Sequence, residues 1–209
     1  MSWTNMTHAV LPQAVFLPVW VKLSWACVMS AVVLRLTYGD KPTVWPAAVV
    51  AALLLLPLPQ TDALSGYLAL ALQTPSLVCV AWALGCWADV IQPRSPQTTT
   101  PTPVALLGVL LGWALVVDTL NDWPAFLNFQ LYALGFEAVG VGLVVLVTAA
   151  VLLWQQVSPR WVLSAVAVLA VYVLLRLPTG NVWDALLDPF VWVALHVQLW
   201  RTWRASRRG

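Results

Sequence analysis

A chain of 209 residues that is 61% hydrophobic and 9% charged, with a mean hydropathy of +0.85, does not have the inventory of a soluble domain, where about a quarter of residues are charged. Its net charge of +2, with no interleaved basic and aromatic face, argues against a nucleic-acid partner. The useful count is therefore how many segments of about 20 residues fit a bilayer, and it allows six or seven.

The first residues, MSWTNMTHAVLPQAVF, carry no basic n-region and no small-residue cleavage site, so the first apolar segment is expected to be retained. Further on, a short polar residue and a proline recur just ahead of five of the apolar runs: Thr43 before Trp45-Pro46, Thr74-Pro75, Thr102-Pro103, Ser158-Pro159 and Asp188-Pro189. Such pairs open helices, because the side-chain oxygen caps free amides and proline fits the first turn. They predict an all-α, polytopic transmembrane bundle with spans at 14–37, 43–59, 75–91, 103–120, 133–155, 160–177 and 189–204. The whole chain, 1–209, reads as a single integral membrane domain. Segment 43–59 is short and ends in Pro57 and Pro59, which makes six spans the alternative.

Between the spans, Asp62 to Leu72 is apolar but too short to cross, and reads as an interfacial helix. Asn181 and Asp184 have the spacing of a capping box, predicting one helical turn to Leu187 before Asp188-Pro189 opens the last helix. Residues 92–102 have too many prolines and too little apolar surface to fold compactly, and are expected to be an extended cytoplasmic loop.

Seven spans with the N-terminus out and the C-terminus in separate the charges. Arg35, Lys41, Arg94, Arg160, Arg201, Arg204, Arg207 and Arg208 fall near the inner face, eight of ten basic residues. Asp62, Asp118, Asp122, Glu137, Asp184 and Asp188 fall near the outer face. A bacterial inner membrane is the expected location, and the excess of arginine over lysine fits a GC-rich genome. The basic tail, 201–209, is suited to anionic lipid.

Most of the fourteen tryptophans lie near predicted span ends and form an interfacial belt, with Trp123 and Trp183 at the outer face and Trp200 and Trp203 at the inner one. Trp113 and Trp192 lie deeper. Gly108 and Gly112, four residues apart, and Gly85, between Ala81 and Asp89, are expected to let helices approach closely. Cys27, Cys79 and Cys86 lie in apolar runs without metal-ligand spacing and read as small core residues.

Ionisable groups within spans are costly and therefore functional suspects. Lys22 is expected to snorkel or to pair with an outer acid such as Asp118 or Glu137, and Arg176 to snorkel. Asp118, Asp184, Asp188 and Glu137 are the catalytic candidates if the protein is an enzyme, since paired carboxylates can divide acid and base roles or hold a divalent cation. Three of these have structural roles to hand: Asp184 in the capping box, Asp188 as a cap and Glu137 at a helix start. Asp118 has none. His196 is the one histidine within a predicted span, so a bis-histidine haem is not expected, although a single pigment or metal could use it. No hydrolase, Walker, dinucleotide or zinc-protease motif occurs, and no cofactor is expected.

These readings favour a non-catalytic membrane subunit or scaffold that binds lipid and docks other membrane-protein subunits at its outer, periplasmic face. The alternatives are an enzyme or carrier using the outer carboxylates on a lipid-linked or cationic substrate, and a pigment- or quinone-associated electron-transfer subunit.

Overall fold

A computed structural model describes residues 12, 16–37, 44–56, 64–91, 102–120, 130–154 and 159–207. The fold is all-helical, with no strand among the described residues. In chain order the helices are α1 (Phe16–Leu36), α2 (Trp45–Leu55), α3 (Leu64–Leu72), α4 (Leu77–Ile91), α5 (Thr102–Thr119), α6 (Leu131–Leu134), α7 (Ala138–Trp154), α8 (Pro159–Leu175), α9 (Val182–Leu186) and α10 (Pro189–Ser206). The loop 92–102, apart from Thr102, lies outside the described residues, as do Thr43, Asp122, Trp123, Ser158 and Arg208.

Local chemistry sets several helix ends. Asp188 caps α10 by accepting from the Val191 amide at 2.7 Å, with Pro189 in the first turn. Asn181 caps α9 through the Trp183 amide at 2.9 Å. At α4 the cap is Ser76, whose Oγ accepts from Cys79 N at 3.0 Å, so this helix starts two residues beyond the expected Thr74-Pro75 signal. The segment expected as one helix from 133 to 155 is broken. Gly135, Phe136 and Glu137 donate in turn to the carbonyls of Tyr132, Ala133 and Leu134, a tight i to i+3 pattern that separates α6 from α7. Helix α8 stops where Arg176 takes a left-handed φ of 54°.

Two packing centres hold the helices. In the first, α1 lies against α2, α3 and α4. Its seam with α4 is built from Val28, Ala31, Cys79, Ala83 and Cys86, small side chains that bring the backbones close. A hydrogen bond from Trp87 Nε1 to Ser30 Oγ at 3.0 Å fixes the register. In the second, α9 packs against α4, α7 and α8 and buries Val182, Trp183 and Ala185 with Leu77, Val144, Val168 and Tyr172.

Helix α5 pairs with α10 along Gly108 and Gly112, where an added Cβ would strike Leu195 and the Trp192 indole respectively. Gly85 differs from expectation. It is exposed, and a Cβ there would meet nothing within 4 Å, so among the described residues no helix approaches it closely.

Helices α1 and α5 are long and apolar enough to cross a bilayer, which suggests a membrane protein. Of the seven segments expected to span, these two meet that criterion among the described residues; α2, α4, α7 and α8 are apolar but shorter. Leu146, Leu163 and Leu174 on α7 and α8 are exposed by 66%, 68% and 78%, so much of the apolar surface faces outward. With little hydrophobic force between helices in lipid, specific contacts such as Trp87 to Ser30 would carry more of the organisation.

Candidate functional site

Three of the acidic residues singled out by sequence, Asp118, Asp184 and Asp188, lie at one end of the fold, where α6 and the 176–188 connection meet the end of α5 and the start of α10. The 176–188 connection is the organiser. After α8 stops, Gly180, at φ 89°, donates its amide to the Arg176 carbonyl at 2.7 Å and presents its own carbonyl to Tyr172, whose hydroxyl donates to it at 2.6 Å. Arg176 does not simply extend outward as expected: its Nη1 donates to the Tyr172 hydroxyl at 3.3 Å and its guanidinium lies 5.3 Å from that ring's centre.

Asn181, fully buried, links this connection to α6. Its Nδ2 donates to the Tyr132 carbonyl at 2.9 Å while its Oδ1 caps α9. Val182 N donates to the Gly135 carbonyl at 2.9 Å, and Trp183 Nε1 to the Leu131 carbonyl at 2.8 Å. Gly135 is needed here, because a Cβ at that position would collide with Asn181 Oδ1 and the Trp183 ring. Trp183 is therefore a correction to the predicted belt: at 6% exposure it is an internal strut that supplies an N–H to a carbonyl of α6.

The carboxylates are occupied by these elements. Asp118, on α5, accepts from the Tyr132 amide at 2.7 Å, so the residue read as lacking a capping role caps α6 from another helix. Gln130, the local N-cap residue, provides no such bond. Asp188 accepts at both oxygens, from Ser76 N and from Val191 N, each at 2.7 Å, and so ties α4 to α10. Asp184 Oδ2 accepts from the Tyr132 hydroxyl at 2.9 Å and from Thr179 Oγ1 at 2.5 Å. The expected capping box is thus half formed: Asn181 caps, but its own amide donates to Thr179 Oγ1 at 3.2 Å and not to Asp184. Glu137 stands immediately before α7 and is not brought to Asp184 or Asp188 by any bond. Lys22 pairs with neither Asp118 nor Glu137 among the described residues.

A cleft of about 180 Å³ opens between α5 and α10 below this cap, with Gly112, Thr119, Tyr132, Asp184, Asp188 and Trp192 among its walls. Burial, reinforced by the nearby Asp184 carboxylate, pushes the Tyr132 phenol up to about 12. It is therefore a hydrogen-bond donor at neutral pH. Among the described residues no three His, Cys, Asp or Glu side chains are placed to hold a metal ion.

His196 lies deeper on α10, with Nδ1 2.9 Å from the Trp192 carbonyl and its ring edge-on to Trp192 and Trp113 at 4.8 and 6.4 Å. Because a carbonyl only accepts, Nδ1 is the donor in this contact. Trp192 Nε1 in turn donates to Val109 O at 3.3 Å. Trp200 and Trp203 are exposed, with Arg204 and Arg207 stacked on them.

Sequence reasoning missed Tyr132, Tyr172, Thr179 and Ser76. The signal available was indirect: Tyr132 and Tyr172 flank segments where glycine and short polar residues interrupt apolar runs, and a buried phenol needs a partner. Compared with known proteins, the chain matches no family model, no curated sequence and no solved structure.

Proposed function

We propose that the chain is a multi-pass protein of a bacterial inner membrane, with about seven spans, N-terminus out and C-terminus in. In this reading it serves as a non-catalytic subunit or scaffold whose outer cap docks another membrane-protein subunit. The observation that carries the functional part is the use made of the carboxylates. Asp118 and Asp188 direct their lone pairs to backbone amides of α4, α6 and α10, and Asp184 accepts two hydroxyls. Groups committed to holding helix starts are poorly placed to exchange protons with a substrate. Support for the membrane part comes from the outward-facing leucines of α7 and α8 and from the length of α1 and α5.

The test is to tag the protein, extract it from its native membrane in mild detergent and identify what accompanies it by mass spectrometry and absorbance. A stoichiometric protein partner is expected. Turnover of a lipid or transport of a solute by the purified protein alone would sink the scaffold reading, and a bound chromophore would move it to an electron-transfer complex.

One observation favours a second reading, an enzyme or carrier acting on a lipid-linked or cationic substrate: Asp184 and Asp188 line the same cleft as Tyr132 and Trp192. It requires that Asp184→Asn abolish activity while the melting temperature stays unchanged.

A further inference from the structure

Helix α10 changes character along one face. Phe190, Val193, Val197, Trp200, Arg204 and Arg207 recur at intervals of three and four residues, so they form a single stripe. All six are exposed, while Trp192 and Leu195, on another face, meet α5. The stripe runs from Phe190, which meets the Trp25 ring edge-on, through valine and indole to guanidinium, the order of polarity met on passing from a bilayer core through its interface to the phosphates.

The basic end is built and not merely charged. The guanidinium carbon of Arg204 lies 4.0 Å from the centre of the Trp200 ring, and that of Arg207 lies 4.0 Å from the centre of Trp203, two stacks of the same i, i+4 spacing. A stacked guanidinium has one planar face covered while its N–H edge stays open to accept a bidentate oxyanion. Arg201 is exposed beside them, and among the described residues none of the three arginines is within ion-pair distance of a carboxylate. The negative end of the helix dipole accounts for cations here, but not for their pairing with exposed indoles.

We infer that the Trp200–Arg204 and Trp203–Arg207 stacks, with Arg201, form a binding site for the phosphate of an anionic phospholipid. The site rests on the reading of the chain as membrane-embedded, and gives that reading a lipid class. Nucleic acid fits less well, because the guanidiniums finish an apolar stripe and do not track along a groove.

Native mass spectrometry of the full-length protein in detergent, titrated with phosphatidylglycerol or phosphatidylcholine of identical acyl chains, tests this. The wild type is expected to retain phosphatidylglycerol at least tenfold better, less so as salt is raised. Changing Arg201, Arg204 and Arg207 together to glutamine should remove that preference, lowering phosphatidylglycerol retention to the level of phosphatidylcholine and leaving phosphatidylcholine unchanged. The double variant Arg204→Lys with Arg207→Lys keeps the charge but loses the stacked fork, and should lose about fivefold.

Equal retention of the two lipids by the wild type overturns the site, as does a glutamine variant that folds with its preference intact. Tighter binding of a single-stranded oligonucleotide or a glutamate-rich peptide overturns it too. If the glutamine variant does not fold, the wild-type comparison and the lysine variant decide. Recovery of the protein in the soluble fraction would instead defeat the membrane reading itself, so the two failures are distinguishable.

Discussion

Asp118 Oδ2 accepts the backbone N–H of Tyr132 at 2.7 Å, across a sequence separation of 14 residues. The carboxylate at the end of α5 therefore determines where α6 begins, and α6 in turn presents the Leu131 and Tyr132 carbonyls to Trp183 and Asn181. One side chain thereby links α5, α6 and the 176–188 connection.

Replacing Asp118 by alanine should destabilise the protein by about 1.5–3 kcal/mol, the usual worth of a hydrogen bond to a charged group. Asparagine keeps an oxygen at the same place and should cost less than about 1 kcal/mol. Denaturation of both variants in the same detergent checks the ranking. Equal losses would show that the charge, and not the acceptor, matters.

Asp188 should behave differently. Both its oxygens face amide N–H groups, so asparagine places an NH₂ against one of them and cannot relieve the clash by flipping. Asp188→Asn is expected to lose about 2–4 kcal/mol, close to Asp188→Ala. Asp184→Asn should be milder, because the hydroxyls of Tyr132 and Thr179 can rotate to suit a new partner. Thermal melts of the three asparagine variants, ordered Asp188 below Asp184 and Asp118, test this.

Tyr132 gives a pH dependence with a definite sign. Its phenol is raised from 10 in the unfolded chain to about 12 in the fold, first by burial and then by Asp184. The folded state thus holds this proton more tightly. Its contribution is full below pH 10 and is lost as pH rises through about 12. Wild-type stability should fall across that window, and Tyr132→Phe should flatten the fall. At neutral pH the same variant should cost about 1 kcal/mol for the lost bond to Asp184. A melting series from pH 8 to about 12 in both proteins makes the comparison.

Two glycines expected to serve alike should separate. Gly112→Ala drives a methyl into the Trp192 indole and should cost about 1–3 kcal/mol through overpacking. Gly85→Ala meets open space and should be neutral or stabilise α4 by up to about 1 kcal/mol. If Gly85→Ala instead weakens the protein only when a co-purifying subunit is present, the open face of α4 is where that subunit packs.

Much of the helix pattern was legible because its causes are local. Apolar runs bounded by Pro46, Pro103 and Pro189 mark helices whatever surrounds them, and Asn181 and Asp188 cap the turns that follow them directly. The break at Gly135 was not legible. It depends on Asn181 and Trp183, some fifty residues away, occupying the space beside it.

Composition and short-range spacing by themselves determined that this chain is apolar and helical, and that Asn181 and Asp188 cap the helices that follow them. Which face of each helix meets which neighbour was decided only in three dimensions. A helix apolar on every side carries no stripe to say where it packs, so Trp183 and Trp203 look alike in sequence although one is buried and the other exposed. The roles of the acids were settled the same way: what Asp118 does depends on the Tyr132 amide, and folding alone brings that amide to it.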